Sequence, residues 1–232
     1  MSSTSGLSSC CISGHIHDGI PTGVVEKIGG LDVYVAKPED GSQSKTILFI
    51  TDVFGFAVPN ARLLADDYAR AGFYVYVPDF HQGDSFPSSL LQNVAPLEPE
   101  KRTGLQAASD TEYTLLYTIP WLGQHSDAVV RPLMDNVVVS NHPSFTTEPE
   151  FLNIAKPTQI NVGTNDIFLS NALIAQIKTD MAQKTHVPYE MNVFEGAVHG
   201  FANRGDLTNA RQKAIKEEAF VYAIRWLNKY LA

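Results

Sequence analysis

Short apolar runs of strand length recur along the chain and are separated by stretches with helical spacing. The runs cover residues 46–51, 73–78, 136–140, 157–162 and 189–194. Continuous apolar runs of this length are typical of strands that are covered on both faces. Their alternation with helical patterns predicts an α/β fold, with a mostly parallel sheet and helices on both faces.

The helical patterns lie between these runs. Asn60 is a candidate cap for a helix that ends before Gly72, and Leu173, Ile174, Ile177 and Met181 mark another. Phe220, Ile224, Leu227 and Leu231 recur every three or four residues, which predicts a long final helix. We also predict a half-buried strand at 31–35 and helices over 106–118 and within 124–135.

Composition and length indicate how large a core the chain can form. The chain has 232 residues, of which 44% are hydrophobic and 18% charged, so it is neither disordered nor collagen-like. This length suffices for one sizeable core. Residues 1–23 are rich in Gly, Ser and His and are predicted to form an N-terminal arm, whereas 24–232 are predicted to form a single α/β domain.

Charge and cysteine usage restrict the class of partner. The net charge is −8 without a Lys/Arg block, which argues against a nucleic-acid partner. No apolar run approaches about 18 residues, and the N-terminus lacks a secretory signal pattern, so no membrane partner is expected. Cys10 and Cys11 are adjacent and cannot build a disulfide framework, so we predict a cytoplasmic protein.

Candidate chemistry lies directly after the late strands. Asp166 follows the run 157–162, and His199 follows the run 189–194. Because sites in parallel sheets gather at the C-terminal ends of strands, these two side chains are candidates for the acid and base of a hydrolase triad. The alternative is structural: Asp166 caps the next helix, and His199 is an ordinary loop residue.

Motifs spread over most of the chain resemble the dienelactone hydrolases, in particular their eukaryotic members. Each motif is weak alone, but their order and spacing together are specific. They are CCISGHIHDGIPTG (10–23), GLDVYVAKP (30–38), TDVFGF (51–56), AGFYVYVPDF (71–80), IPWLGQHSDAVVRPLMD (119–135), NHPSF (141–145), KPTQINVGTNDIF (156–168) and FEGAVHGFANRGD (194–206).

This resemblance implies an α/β-hydrolase fold and hydrolysis of small esters or lactones by a Cys–His–Asp triad. It places Asp166 at the family's acid and His199 at its base. It also implies that no metal or organic cofactor takes part and that the partner is a small ester or lactone. Formation of a homo-oligomer is left open.

The substrate-binding positions depart from the bacterial pattern. Asp52 stands where bacterial members carry a glutamate that contacts the nucleophile, and an arginine expected after Pro78-Asp79 is absent. In the bacterial members such arginines bind a carboxylate of the substrate, and Arg204 is the candidate to replace part of this contact. Because the expected arginine is absent, a dienelactone itself is a doubtful substrate. The backbone N–H groups of Val53 and Phe54 are candidate donors to the oxyanion.

The nucleophile is missing. The family carries it between two glycines spaced four apart, because the sharp turn needs small residues there. This chain has only two such pairs, Gly19/Gly23 and Gly196/Gly200, with Pro21 and Val198 at their centres. The segment ending at Asp135 runs directly into the strand at 136–140, so we predict that one central strand-helix unit of about 30–40 residues is absent.

Other residues of the chain are poor candidates for the nucleophile. Cys10 and Cys11 lie in the arm, and Ser140 lies at a strand end without flanking glycines. A metal site built on these cysteines with His15 and His17 fits poorly, because zinc ligands come in separated pairs. His81, His125, His142 and His186 are interpreted as surface or loop histidines.

Two functions therefore remain. The first is a cofactor-independent hydrolase of small esters or lactones that is impaired in this chain because the nucleophile is absent. The alternative is a catalytically inactive splice form, gene-model product or pseudo-enzyme that binds a ligand or partner.

Overall fold

The computed structural model describes residues 14–88, 137–143 and 151–231, apart from 152, 167 and 185. The chain divides into two compact units, Met1–Val130 and Arg131–Ala232. The helices predicted over 106–118 and within 124–135 lie outside the described residues, as do Cys10 and Cys11. The single domain over 24–232 stays a prediction.

The described part of the first unit holds a four-stranded sheet and one helix. Its elements, in chain order, are β1 (Val24–Ile28), β2 (Leu31–Ala36), β3 (Thr46–Leu48), α1 (Pro59–Arg70) and β4 (Tyr74–Pro78). The strand order is β1-β2-β4-β3, with β3 parallel to β4 and the other pairs antiparallel. Strand β1 was not predicted, because all five of its residues are exposed and lack a clear alternation.

Helix α1 corrects the predicted cap. Val58 is the N-cap without a side-chain hydrogen bond, and Pro59 opens the helix, where its missing N–H has no cost. Asn60 lies inside the helix and binds the arm instead. Its Oδ1 accepts from the His17 backbone N–H at 3.0 Å, and its Nδ2 donates to the His15 carbonyl at 2.8 Å.

A second anchor holds the end of the arm. Asp66, 3% exposed, accepts from the Thr22 backbone N–H at 2.7 Å and from the Tyr34 hydroxyl at 2.6 Å. The same hydroxyl accepts from the Gly23 backbone N–H at 2.7 Å. Residues 15–23 are therefore tied to α1 and β2 by buried polar groups, so this part of the arm is ordered.

The second unit holds a parallel three-stranded sheet in the order β5-β6-β7. Its elements are β5 (Val138–Asn141), β6 (Thr158–Asn165), α2 (Asn171–Ala182), β7 (Tyr189–Val198), α3 (Phe201–Arg204) and α4 (Ala210–Tyr230). The predicted strands and long helices of this unit are confirmed. The short helix α3 was not predicted, because four residues give no periodic signal.

Apolar clusters join β6 to α2, and β7 to α3 and α4. Ile160 and Val162 pack with Ile174, Ile177 and Met181 of α2. Phe194, Phe201, Ile215 and Ala219 join β7, α3 and α4 in another cluster. The C-terminal ends of the neighbouring strands β6 and β7 lie side by side, and the candidate acid and base follow them.

Candidate active site

Asp166 and His199 form a buried hydrogen-bonded pair in the second unit. Asp166 Oδ2 lies 3.0 Å from His199 Nδ1, and the two side chains are 0% and 6% exposed. The prediction that they approach within hydrogen-bond reach is confirmed. Because a carboxylate can only accept, Nδ1 carries the proton of a neutral His199 and Nε2 is the basic nitrogen.

The other carboxylate oxygen fixes the acid. Asp166 Oδ1 accepts from the Phe168 backbone N–H at 2.9 Å, a local turn bond that sets the angle of the side chain. Helix α2 has its own cap, since the Ser170 side chain accepts from the Leu173 N–H. Asp166 is therefore not the helix cap that the structural alternative required.

A bulge brings the two strand ends together. The register between β6 and β7 shifts between Gly163 and Asn165, and the Gly196 N–H donates to Thr164 Oγ1 at 2.8 Å. Strand β7 comes so close that a Cβ at Gly163 would lie 2.2 Å from the Ala197 carbonyl oxygen. A bulge of this kind re-aims the side chains that follow it.

Aromatic rings surround the imidazole of His199. The rings of His142 and Phe168 make T-shaped contacts with it, at centroid distances of 4.9 and 4.7 Å. His142 in turn contacts Phe201 at 5.7 Å. His142 follows β5 as a loop residue, as interpreted from the sequence, but its half-buried ring also lies against the candidate base.

Arg204 lies inside the fold. It is 3% exposed, and its guanidinium lies over Gly200, where a Cβ would come within 2.5 Å of a terminal nitrogen. Gly200 has φ 84° and begins α3, so a side chain there would meet both backbone strain and this guanidinium. Whether Arg204 binds a substrate carboxylate stays a prediction.

The loop after β3 belongs to the first unit. Asp52 Oδ1 accepts from the Phe54 N–H at 3.0 Å, and the Asp52 carbonyl lies 3.0 Å from His81 Nε2. The Phe54 ring is 1% exposed and packs on Phe86. The Phe54 N–H is therefore already used, and Val53 is the better candidate of the two backbone donors. The substrate-binding roles of Asp52, Val53 and Phe54 stay predictions.

Ser140 is a regular strand residue. It lies within β5 opposite Ile160, followed in the strand by Asn141, which pairs with Asn161. This position is not the apex of a strand-to-helix turn. The nucleophile of the site remains unknown.

A line of carboxamides crosses the second sheet, and the sequence analysis missed it. Asn161 Nδ2 donates to Asn141 Oδ1 at 2.7 Å, and Asn192 Nδ2 donates to Asn161 Oδ1 at 2.9 Å. Gln159 and Asn192 both donate to Glu190, which also binds Arg225. The signal was an asparagine or glutamine within each of three apolar strands, which a search for apolar runs passes over.

Two further observations concern metal ions and membranes. Among the described residues no three His, Cys, Asp or Glu side chains are grouped so that they could hold a metal ion. The described helices include none that is long and apolar enough to cross a bilayer. Cys10 and Cys11, two of the four residues in the metal-site pattern of the sequence, lie outside the described residues.

Comparison with known proteins identifies the class. The second sheet, with an Asp–His pair at its strand ends, is typical of an α/β-hydrolase. A solved dienelactone hydrolase-like promiscuous phosphotriesterase from metagenomic libraries has this fold, with a TM-score of 0.54 and 12% identity over 86% of this chain and 92% of its own.

The family model described as "Dienelactone hydrolase family" matches residues 31–117 and 123–231. A protein named Hydrolase pyvD from Aspergillus violaceofuscus is 32% identical over 244 residues, covering 97% of both chains. Hydrolase tropI from Talaromyces stipitatus is 28% identical over 96% of both chains. The chain therefore belongs to the dienelactone hydrolase family.

Proposed function

We propose that this protein binds small carboxylic esters or lactones at the Asp166–His199 pair and hydrolyses them at a rate close to background. The observation that carries this proposal is the 3.0 Å contact between Asp166 Oδ2 and His199 Nδ1 in a buried setting. Family membership supports the reaction class. The cytoplasmic location, the absence of a nucleic-acid partner and independence of cofactors remain predictions.

The retained pair can carry the proton steps of the reaction. His199 Nε2 takes a proton from water as the water oxygen attacks the carbonyl carbon of the ester. The same nitrogen then returns that proton to the alcohol oxygen as its bond to the carbonyl carbon breaks. Asp166 holds the Nδ1–H tautomer and stabilises the charge on the ring.

The rate is low because the covalent step is lost. A triad enzyme without its nucleophile keeps only about 10³–10⁴-fold acceleration over water, from binding and from its oxyanion donors. The absent turn would also have supplied one of those donors, whose loss costs about 10²–10³ in rate. Binding is therefore expected to survive better than turnover.

Arg204 is the candidate contact for an acidic group on the ligand. Because Arg204 is buried, a ligand carboxylate bound to it would be buried as well. Such a buried ion pair is favourable only if the two groups meet closely. Neutral esters and lactones avoid this requirement. We therefore propose them as the preferred ligands.

A second candidate is a non-catalytic form of the same family. The match to Hydrolase pyvD is 244 positions long, whereas this chain has 232 residues, so the relative has residues without a counterpart here. The chain also has no Gly-x-Cys-x-Gly or Gly-x-Ser-x-Gly sequence. Both facts support a splice form, gene-model product or pseudo-enzyme in which ligand binding is the remaining function.

A fluorogenic-ester assay tests the catalytic part. We expect turnover close to background and no covalent labelling by an activity-based ester probe. His199→Ala should abolish any turnover above background, whereas His186→Ala, which removes an exposed histidine, should not change it. Robust turnover that is lost in Ser140→Ala but kept in the Cys10→Ser/Cys11→Ser double variant would contradict the proposal by revealing a nucleophile.

Binding and gene structure are tested separately. Calorimetry with a lactam, the slowly hydrolysed analogue of a lactone, should show binding that His199→Ala weakens and His186→Ala leaves unchanged. No binding to lactams or lactones would refute the ligand class. Transcript sequencing should then decide the origin, because an exon between Asp135 and Asn136 that encodes the glycine-flanked nucleophile would make this chain a variant of an active hydrolase.

A further inference from the structure

The backbone at His142 is held in an unusual conformation. His142 has φ 40°, a left-handed value that few residues other than glycine adopt. It also precedes Pro143, and a proline disfavours helical backbone values in the residue before it. Strain of this kind persists only where surrounding contacts hold it, and it is found at functional sites.

Asn161 supplies the contacts that hold this conformation. Its carbonyl oxygen accepts from the His142 backbone N–H at 2.8 Å, and its side-chain Nδ2 donates to Asn141 Oδ1 at 2.7 Å. The end of β5 is therefore fixed by two hydrogen bonds to one residue of β6. The line of carboxamides that reaches Glu190 continues this support across the sheet.

The strained position places one ring against the candidate base. The His142 and His199 rings are 4.9 Å apart at 75°, and Phe168 makes a second T-shaped contact with His199 at 4.7 Å and 72°. Phe201 contacts His142 at 5.7 Å. Edge-to-face ring contacts of this kind are favourable, so two of them oppose rotation of the His199 ring.

We propose that His142 is a positioning residue: its ring, held in the left-handed conformation at the end of β5, packs against His199 and fixes the imidazole that binds Asp166. This proposal rests on the proposed acid–base role of that pair. It adds a residue that the family match and the sequence analysis did not assign to the site.

The charge state of His142 suits this role. Burial, then the neighbouring charges of His199 and Arg204, lower the pKa of His142 well below its ordinary value. The groups around the ring are thus His199, Arg204 and, through His199, the carboxylate of Asp166. An uncharged His142 lets His199 take up a proton without a second positive charge beside it.

Imidazole ¹⁵N NMR of the full chain tests the proposal without substrate. In the native protein we expect His199 in the Nδ1–H tautomer and His142 uncharged from pH 7.5 to 5.5. His142→Ala should raise the solvent exchange of the His199 Nδ1 proton by about two- to tenfold, the equivalent of one lost aromatic edge contact. His142→Phe, which keeps a flat ring, should restore the native exchange rate.

Two variants separate the ring from the backbone. His142→Asn tolerates the left-handed conformation but has no ring, so it should behave like His142→Ala. His186→Ala is the control, because it removes an exposed histidine ring from the same unit. This change should leave the His199 spectrum unchanged.

Three outcomes would overturn the proposal. They are a native-like His199 proton in both His142→Ala and His142→Asn, failure of His142→Phe to restore it, and protonation of His142 near pH 6.5. None of them depends on catalysis. A failure of ester or lactam binding in the assays above would instead count against the proposed function alone.

Discussion

Asp66 in the first unit and Asp166 in the second are buried carboxylates with the same number of partners. Each accepts one backbone N–H and one side-chain donor. Asp66 receives Thr22 N–H and the Tyr34 hydroxyl, whereas Asp166 receives Phe168 N–H and His199 Nδ1.

The difference lies in the proton of the side-chain partner. Burial, followed by the hydrogen bond to Asp66, raises the pKa of Tyr34, so its hydroxyl keeps its proton at neutral pH. An imidazole has an ordinary pKa near 6.5 and exchanges a proton through its second nitrogen. The same carboxylate geometry is therefore structural in the first unit and suited to proton transfer in the second.

The largest expected effect is on the stability of the first unit. Asp66→Ala leaves the Thr22 N–H and the Tyr34 hydroxyl without their acceptor, which should lower the free energy of unfolding by about 2–4 kcal/mol. Urea unfolding measures this loss. Asp67→Ala, at the half-exposed neighbouring position, is the control and should have a much smaller effect. Equal losses in the two variants would contradict a structural role for Asp66.

Acidification should weaken the native state through His142. The pKa of His142 is lowered in the native protein, whereas an unfolded histidine titrates near 6.5, so the unfolded chain binds more protons below that pH. The free energy of unfolding should fall by about 1 kcal/mol between pH 6.5 and 5.5 from this residue. His142→Phe should remove that part of the slope, and an unchanged slope would contradict it.

Alkaline conditions should lower the stability of the first unit. The pKa of Tyr34 is raised in the native protein, and burial raises that of Tyr68 as well. Unfolded tyrosines ionise near pH 10, so stability is complete below that pH and falls as the pH rises above it. Chemical unfolding between pH 9 and 11 should show this fall, and Tyr34→Phe should reduce its slope. An unchanged slope in Tyr34→Phe would show that Tyr34 does not cause this fall in stability.

The smallest change in stability is expected at Asp166. In Asp166→Asn the amide can donate to His199 Nδ1 while the ring moves its proton to Nε2, so both partners stay hydrogen-bonded. Unfolding should change by less than about 1 kcal/mol, while ¹⁵N NMR should show the reversed tautomer, with no basic Nε2. A retained Nδ1–H tautomer would show that Asp166 does not set the proton position.

Local signals made much of the second unit predictable. The apolar runs at 157–162 and 189–194 became the strands Thr158–Asn165 and Tyr189–Val198 of the parallel sheet. Only the first of them is largely buried, whereas the second is mostly half-buried or exposed. Placement of Asp166 and His199 followed from the rule that parallel strands end at one edge. Strand β1 and helix α3 were missed, since an exposed strand and a four-residue helix lack periodic signals.

Asn60 shows where local rules fail. A polar residue before an apolar helical pattern is a normal cap signal, but Val58 and Pro59 begin the helix and Asn60 binds the arm 43–45 residues away in sequence. His142 is a similar case. Its sequence neighbours give no hint of the His199 ring, which the chain brings to it through another strand.

By itself, the sequence determined the family, the α/β class, the positions of the strands in the second unit and the candidate acid and base, since these depend on local periodicity and on residues at strand ends. It also determined that no glycine-flanked nucleophile is present. The tertiary structure alone decided that Asp66 anchors the arm, that Asn161 fixes the end of β5 and that His142 lies against His199. These contacts join residues far apart in the chain, so their energies depend on packing and hydrogen bonds that no local pattern encodes.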